Sequence, residues 1–316
     1  MGYSVSTTQI DHILTFANVN NIDEYVAEYR TIGFVVNEAT YRYKPGLRNR
    51  FITLGCEYIE LVWVEDEAAF AESSPEEFAR MFPDLPALRE VAHPFSIGFQ
   101  TASVNALHDT WTSQGYDLPS IWSFAPPGMP PVLSFQTIPS TLLPGVSGFA
   151  LTYHNAAENQ VHEAQMGPNT IYALEGITMV CATPATDAAL WRDLLAPDLA
   201  VQDQGSVCTV NVGAHTVHWM TPEQYHAGYG LDQIETPHDS GNIAALHLLA
   251  SDLDKAKAML GSSGNSALSA ENSEQSHVKM SDPRDGLTFI IREYPIDRWC
   301  NERMALTGER IAVDPQ

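Results

Sequence analysis

The sequence predicts an α+β protein of four β-α-β-β-β modules, paired into two cupped-sheet domains. Three observations carry this. Residues 10–64 switch from a two-residue to a helical hydrophobic period and back to strands. The same order begins again near residues 94, 175 and 243. A polar break, "NAAENQVHEAQMGPNT" at 155–170, separates the two pairs and contains Gly167 and Pro168. A four-stranded sheet with one covering helix leaves a face bare, so modules should pair and curl around a shared interior.

The elements follow in order. "DHILTFANV" alternates and is β-rich. In "NIDEYVAEYRTIGF", Asn21 is an N-cap, Ile22, Tyr25, Val26 and Tyr29 share one helical face, and Gly33 closes the C-terminus. "VVNEATYRY", "RNRFITLG" and "EYIELVWV" supply three strands. The second module is "PFSIGFQT", the helix "SVNALHDTWTSQGY", then "PSIWSF", "PVLSFQTI" and "GFALTYH", with "APPGMPP" as a turn. The third is "EGITMVCAT", "ATDAALWRDLL", "VCTVNVG" and "HTVHWM". The fourth is "IAALHLLA", "SDLDKAKAML", "SHVKM" and "LTFIIREY", with a "DPRDG" turn. The stretch 69–92 joins modules one and two through short helices, and 220–241 joins three and four. This divides the chain into domains 1–165, with modules at about 10–64 and 92–155, and 166–316, with modules at about 174–220 and 242–295.

Composition narrows the function classes. Lys plus Arg number 16 against 39 Asp plus Glu, a formal charge of -23. Such a surface repels phosphate backbones and anionic membranes, which argues against nucleic-acid and membrane partners; it speaks to solubility and steering and does not specify a substrate. No apolar run approaches the roughly 20 residues that cross a bilayer. The start "MGYSVSTTQIDHILTF" lacks a secretory pattern, although Gly2 and Ser6 fit the loose myristoylation pattern. Cys56, Cys181, Cys208 and Cys300 form no CxxC pair, and three fall in expected strands; buried thiols suit a reducing cytoplasm. Four modules can satisfy their sheet pairing as a monomer or a homodimer.

The chemistry centres on two polar residues in apolar strands: His12 in "QIDHILTF" and Glu60 in "EYIELVWV". Either each is satisfied by local hydrogen bonds, or the two meet across a sheet and hold something. A carboxylate within "YIELVW" is costly to bury without a partner, and an outward-facing position is its other escape.

The segments "IDHILTFANVNNIDEYVAEYRTIGF", "NRFITLGCEYIELVWV" and "NTIYALEGITMV" resemble the vicinal oxygen chelate superfamily, the glyoxalase and extradiol dioxygenase group, and most closely its glyoxalase-like branch. The resemblance implies a cupped sheet holding one divalent metal, iron, zinc, manganese or nickel, with ligands from the first and last strands of a module. His12 and Glu60 match those positions in the first module, with Glu60 a ligand, a base, or both in turn. Aligned on helix starts, Ser96, Thr178 and about Ala245 stand where His12 sits, and Ile290 takes the Glu60 position in the fourth module. The second half thus lacks a site, whereas ring-cleaving extradiol dioxygenases of similar length place their iron there. If Thr152 aligns with Glu60, His154 shares its inward parity, and His12, Glu60 and His154 make a two-histidine, one-carboxylate set with open positions.

Substrate contacts are expected from Arg50, on a strand lining the cup, and from Trp122, with Phe124, as an apolar wall. Arg50 belongs to the cationic stretch "YRYKPGLRNRF" with Arg42, Lys44 and Arg48, which reads equally as a solvated hairpin. His215 and His218 are three apart on a strand and point to opposite faces; His218 also suits the third module's Glu60 position, and with His247 would make a remnant second site. His93, His108 and His226 read as surface or linker residues. Two readings follow. One is a metalloenzyme acting on a small oxygenated molecule, lyase or isomerase rather than dioxygenase because the candidate site lies in the first half. The other is a non-catalytic protein that sequesters a small molecule; a structural or partner-binding protein is the bland remainder.

Overall fold

A computed structural model describes residues 8–17, 22–38, 45–72, 94–125, 130–154, 166–195, 200–205, 207–229, 242–261, 277–282 and 287–307. The first module runs β1 (Gln9–Phe16), α1 (Ile22–Thr31), β2 (Val35–Glu38), β3 (Leu47–Leu54), β4 (Glu57–Val64). A short helix α2 (Glu67–Glu72) follows, as expected for the linker. The second runs β5 (Pro94–Gln100), α3 (Val104–Ser113), β6 (Trp122–Phe124), β7 (Leu133–Ile138), β8 (Ser147–Tyr153). The third runs β9 (Ile171–Val180), α4 (Pro184–Leu195), β10 (Gln202–Asp203), β11 (Cys208–Val212), β12 (His215–Met220). After α5 (Pro222–Tyr229), the fourth has β13 (Asn242–Ala250), α6 (Leu253–Gly261), β14 (His277–Asp282) and β15 (Leu287–Glu293). A last helix, α7 (Ile296–Thr307), lies beyond the modules read from the sequence. The mixed architecture of two many-stranded sheets bears out the predicted fold class. One sheet has the order β2-β3-β4-β1-β5-β8-β7-β6 and the other β10-β11-β12-β9-β13-β15-β14.

The local chemistry explains the boundaries. Gly33, at φ +85°, ends α1: the Phe34 N–H reaches back to the Tyr29 carbonyl at 3.0 Å. Tyr25, Val26 and Tyr29 are the buried stripe of α1, as the periodicity predicts, while Asn21 lies outside the described residues. Ser103 caps α3 by accepting the Ala106 N–H at 3.2 Å. The cysteines differ from expectation. Only Cys208 is in a strand; Cys181 follows β9, Cys56 sits in the β3–β4 turn and Cys300 is on α7. Burial pushes the Cys181 and Cys208 thiols up, Asp187 adding to the effect at Cys181 and Asp203 at Cys208, so both are held as inert thiols.

Packing groups the chain into two compact units, residues 1–11, 96–161 and 176–244, and residues 12–95, 162–175 and 245–316. In the first, Phe99, Trp191 and Trp219 pack edge to face at 6.0 and 5.3 Å, and the buried Trp111 indole donates to the Leu194 carbonyl at 2.9 Å. In the second, Tyr25, Tyr29, Phe34 and Phe289 form a ring chain with spacings of 5.3, 5.7 and 5.7 Å.

One polar contact ties α7 into the second unit. Glu57 and Arg303 are 1% and 4% exposed and form an ion pair; Glu57 also accepts the Leu174 N–H, and the Arg303 guanidinium lies 5.0 Å from the Trp299 ring centre. Removing one member strands a buried charge. Arg303→Met is therefore expected to cost about 3–5 kcal/mol, and Glu57→Gln with Arg303→Met clearly less, as read by urea denaturation. Gly55, at φ +75°, would place a Cβ 1.8 Å from the Tyr172 carbonyl oxygen. Gly55→Ala should lower the melting temperature by more than the few degrees typical of an ordinary surface substitution, because both the backbone angle and the strand approach forbid it.

Candidate functional site

Strand register decides which side chains meet. β1 and β4 are parallel neighbours with His12 opposite Tyr58 and Leu14 opposite Glu60. β3 runs antiparallel to β4, with Thr53 opposite Tyr58, Phe51 opposite Glu60 and Asn49 opposite Val62. The two-residue pleat period thus puts His12, Tyr58, Glu60, Phe51, Thr53 and Asn49 on one face. His12 and Glu60 are 3% and 1% exposed, and His12 Nε2 stands 3.7 Å from Glu60 Oε2. The other carboxylate oxygen, Oε1, accepts the Asn49 Nδ2–H at 2.7 Å. The His12 imidazole stacks on the Tyr58 ring at 4.4 Å, 14° from parallel, and Phe51 meets Tyr58 edge-on at 5.0 Å. Asn37, opposite Phe51, extends the polar row by donating to Thr53 Oγ1 at 3.0 Å. His12 and Glu60 thus lie side by side on one face of the sheet.

Aligning the last residue pair of each first-strand to last-strand ladder compares the modules. Phe16–Val62, Gln100–Leu151, Val180–Met220 and Ala250–Glu293 are equivalent. The positions of His12 and Glu60 are then held by Ser96 and Phe149, by Gly176 and His218, and by Leu246 and Ile291. The ladders shift the sequence alignment from Thr152 to Phe149, from Thr178 to Gly176, from Ala245 to Leu246 and from Ile290 to Ile291. His218 does take the Glu60 place. Only the first module pairs an imidazole with a carboxylate at these positions.

The remaining expected residues lie as follows. His154 is exposed just beyond β8, where its Nε2 bonds Ser134 Oγ at 2.7 Å, and Ser134 bonds Ser123 at 2.8 Å. Among the described residues no three His, Cys, Asp or Glu side chains gather as a metal cluster. Arg50 pairs in register with Leu61 and takes the opposite face of β3 from Asn49 and Phe51. It bonds Asp23 at 3.4 Å and lies over Trp63, while Arg48 bonds Glu65 at 2.7 Å; Arg42 and Lys44 are outside the described residues. Trp122 is 36% exposed on β6, at the sheet edge, and stacks on Phe135, which meets Phe149 edge-on. Phe124 is half-buried on the same strand. His215 is buried and accepts the Ile10 N–H at Nδ1, whereas His218 and His247 are half-buried. His108 is not a plain surface residue, since Nδ1 contacts the buried Gln136 at 2.6 Å; His226 lies on α5, and His93 is outside the described residues. Asn49 and Tyr58 were missed from sequence. Their signals were present: Tyr58 is two residues from Glu60, and asparagine is unusual in a strand with buried neighbours.

The donor pair fits a divalent ion. Neutral imidazole and carboxylate suit zinc, iron, manganese or nickel. Bonds of about 2.0–2.2 Å put two donors on one ion at most roughly 4 Å apart, and 3.7 Å lies within that span. Asn49, bonded to the far oxygen, is the kind of outer contact that orients a carboxylate ligand.

Comparison with known proteins agrees with this frame. No curated protein matches the chain in sequence. A hypothetical protein from Staphylococcus aureus shares the fold at TM-score 0.59 and 10% identity, over 91% of this chain and 100% of that one. A mutant of 4-hydroxymandelate synthase from Streptomyces coelicolor, a vicinal oxygen chelate protein, matches at TM-score 0.55 and 12% identity, over 96% and 98%. A xylose isomerase-like TIM barrel/4-hydroxyphenylpyruvate dioxygenase fusion protein matches at 0.53 and 11%, over 96% of this chain and 53% of that one. The glyoxalase-like domain family matches residues 10–195, more than half of the sequence, and the chain belongs to that family, a branch of the vicinal oxygen chelate superfamily.

Proposed function

We propose that the protein is a metal-dependent enzyme of the vicinal oxygen chelate type, acting on a small oxygenated organic substrate by proton-transfer chemistry of the lyase or isomerase kind. The observation that carries this is the buried His12–Glu60 pair, 3.7 Å apart on one sheet face. His12 and Glu60 would hold one divalent ion, which supplies Lewis-acid polarisation of a substrate oxygen when bound. Glu60 Oε2 is the oxygen on the His12 side; it would serve as ligand and as base in turn, taking a proton from the carbon next to the polarised substrate oxygen when it is not holding the ion. Phe51 and Tyr58 set apolar surface against the pair, which limits water and strengthens the electrostatics within it. The buried thiols of Cys181 and Cys208 fit a reducing cytoplasm, and the acidic charge disfavours nucleic acid and membranes; the partner is a small molecule, with the chain acting as monomer or homodimer.

A second reading is dioxygenation, favoured by the fold likeness to 4-hydroxymandelate synthase and to a protein named for 4-hydroxyphenylpyruvate dioxygenase. A sequestering binder without metal is the third.

Elemental analysis of protein purified without a metal-binding tag separates enzyme from binder. About one divalent ion per chain is expected, lost in a folded His12→Ala, Glu60→Ala variant. No ion, even after reconstitution with zinc, iron, manganese and nickel, would sink the metalloenzyme reading. A screen of vicinal-oxygen compounds in D₂O then separates the two chemistries. Deuterium should enter the substrate carbon with the wild type and at least roughly 100-fold more slowly with Glu60→Gln. Oxygen uptake without such exchange would favour the dioxygenase.

A further inference from the structure

We infer that Asn49 is the positioning residue of this site: it holds Glu60 by one oxygen so that the other is presented to His12 and to whatever His12 and Glu60 jointly bind. The inference rests on the metal-site reading only for its consequence. The contact itself stands without it.

Three features single out Asn49. It is 4% exposed, on a strand interior where asparagine is disfavoured, so its presence calls for a polar partner. Register puts it on the Glu60 face, two residues along β3 from Phe51, the residue opposite Glu60, which is a diagonal contact across the strands. Its Nδ2 lies 2.7 Å from Glu60 Oε1, at the short end for N–H···O and typical of a bond to a charged acceptor. An ionised carboxylate only accepts, so the amide must present its NH₂ and not its oxygen. The two oxygens of Glu60 therefore have separate duties. Oε1 is occupied by a neutral donor, and Oε2 is the one 3.7 Å from His12 Nε2. Without Asn49 the carboxylate can rotate about its last torsion, a broad two-fold well, and swap or share its oxygens. An outer contact of this kind typically changes metal affinity roughly 10- to 100-fold.

The test has two arms. In the first, zinc affinity is measured by competition with a chelating dye for the wild type, Asn49→Leu and Asn49→Asp, the last near-isosteric but without the NH₂ group. Asn49→Leu should bind roughly 10- to 100-fold more weakly while its metal-free melting temperature and circular dichroism stay native-like. Affinity within twofold of wild type would overturn the inference. The second arm uses metal-free protein. The side-chain NH₂ signal of Asn49, assigned by its loss in Asn49→Asp, should shift and exchange faster with water in Glu60→Ala. An unmoved signal would overturn the inference even if Asn49→Leu fails to fold. Failure of the wild type to bind zinc would count against the metal reading alone, and the NMR arm would still decide whether Asn49 holds Glu60.

Discussion

The parallel pairing of β1 with β4 is the constraint on which the candidate site depends. In a pleated pair the side chains alternate with a period of two, so one register places His12, Tyr58 and Glu60 on a common face and a slip by one residue would scatter them. Parallel strands need a crossover, and α1, β2 and β3 provide it. The crossover strand β3 then lies against β4 on the side away from β1 and adds Asn49 and Phe51. Every contact of the site follows from this order: imidazole on β1, carboxylate on the central β4, amide on β3.

β4 buries two carboxylates by opposite means. Glu57 and Glu60 are three residues apart and face opposite sides of the strand. Glu57 is neutralised by Arg303 and accepts the Leu174 N–H, an arrangement that holds α7 to the sheet. Glu60 has a neutral amide on one oxygen and an imidazole near the other. A guanidinium partner suits a structural role, because a fully paired charge has little left to offer. A neutral amide fixes the carboxylate and leaves its charge available, which suits a ligand or a base. The same strand thus carries a fastening on one side and the candidate site's buried imidazole–carboxylate pair on the other.

The repeated module keeps its scaffold while its chemistry drifts. Ser96 and Phe149, Gly176 and His218, and Leu246 and Ile291 occupy the same two ladder positions as His12 and Glu60. Each combination suits strand packing, and none joins an imidazole to a carboxylate. A 10–12% identity to proteins of the same fold makes the same point across chains: pleat, twist and buried period define the scaffold, and the site is a matter of a few side chains.

By itself the sequence determined the four modules and their helices, because hydrophobic period, helix stops such as Gly33 and the two-residue strand period are local properties written in consecutive residues; the approach of His12 to Glu60 was implied only by the family resemblance. It also carried the family resemblance later supported over residues 10–195. Only the tertiary structure decided the rest. Arg50 falls on the face opposite Asn49 because it pairs with Leu61, a fact that depends on which residues face each other across two strands. The shift from Thr152 to Phe149 comes from the β5–β8 register, hidden behind loops of unequal length. The Arg303–Glu57 contact joins residues 246 apart, and the packing that gathers 12–95 with 245–316 is equally remote in sequence. Long-range partners are chosen by shape and charge in three dimensions, and no local pattern encodes them.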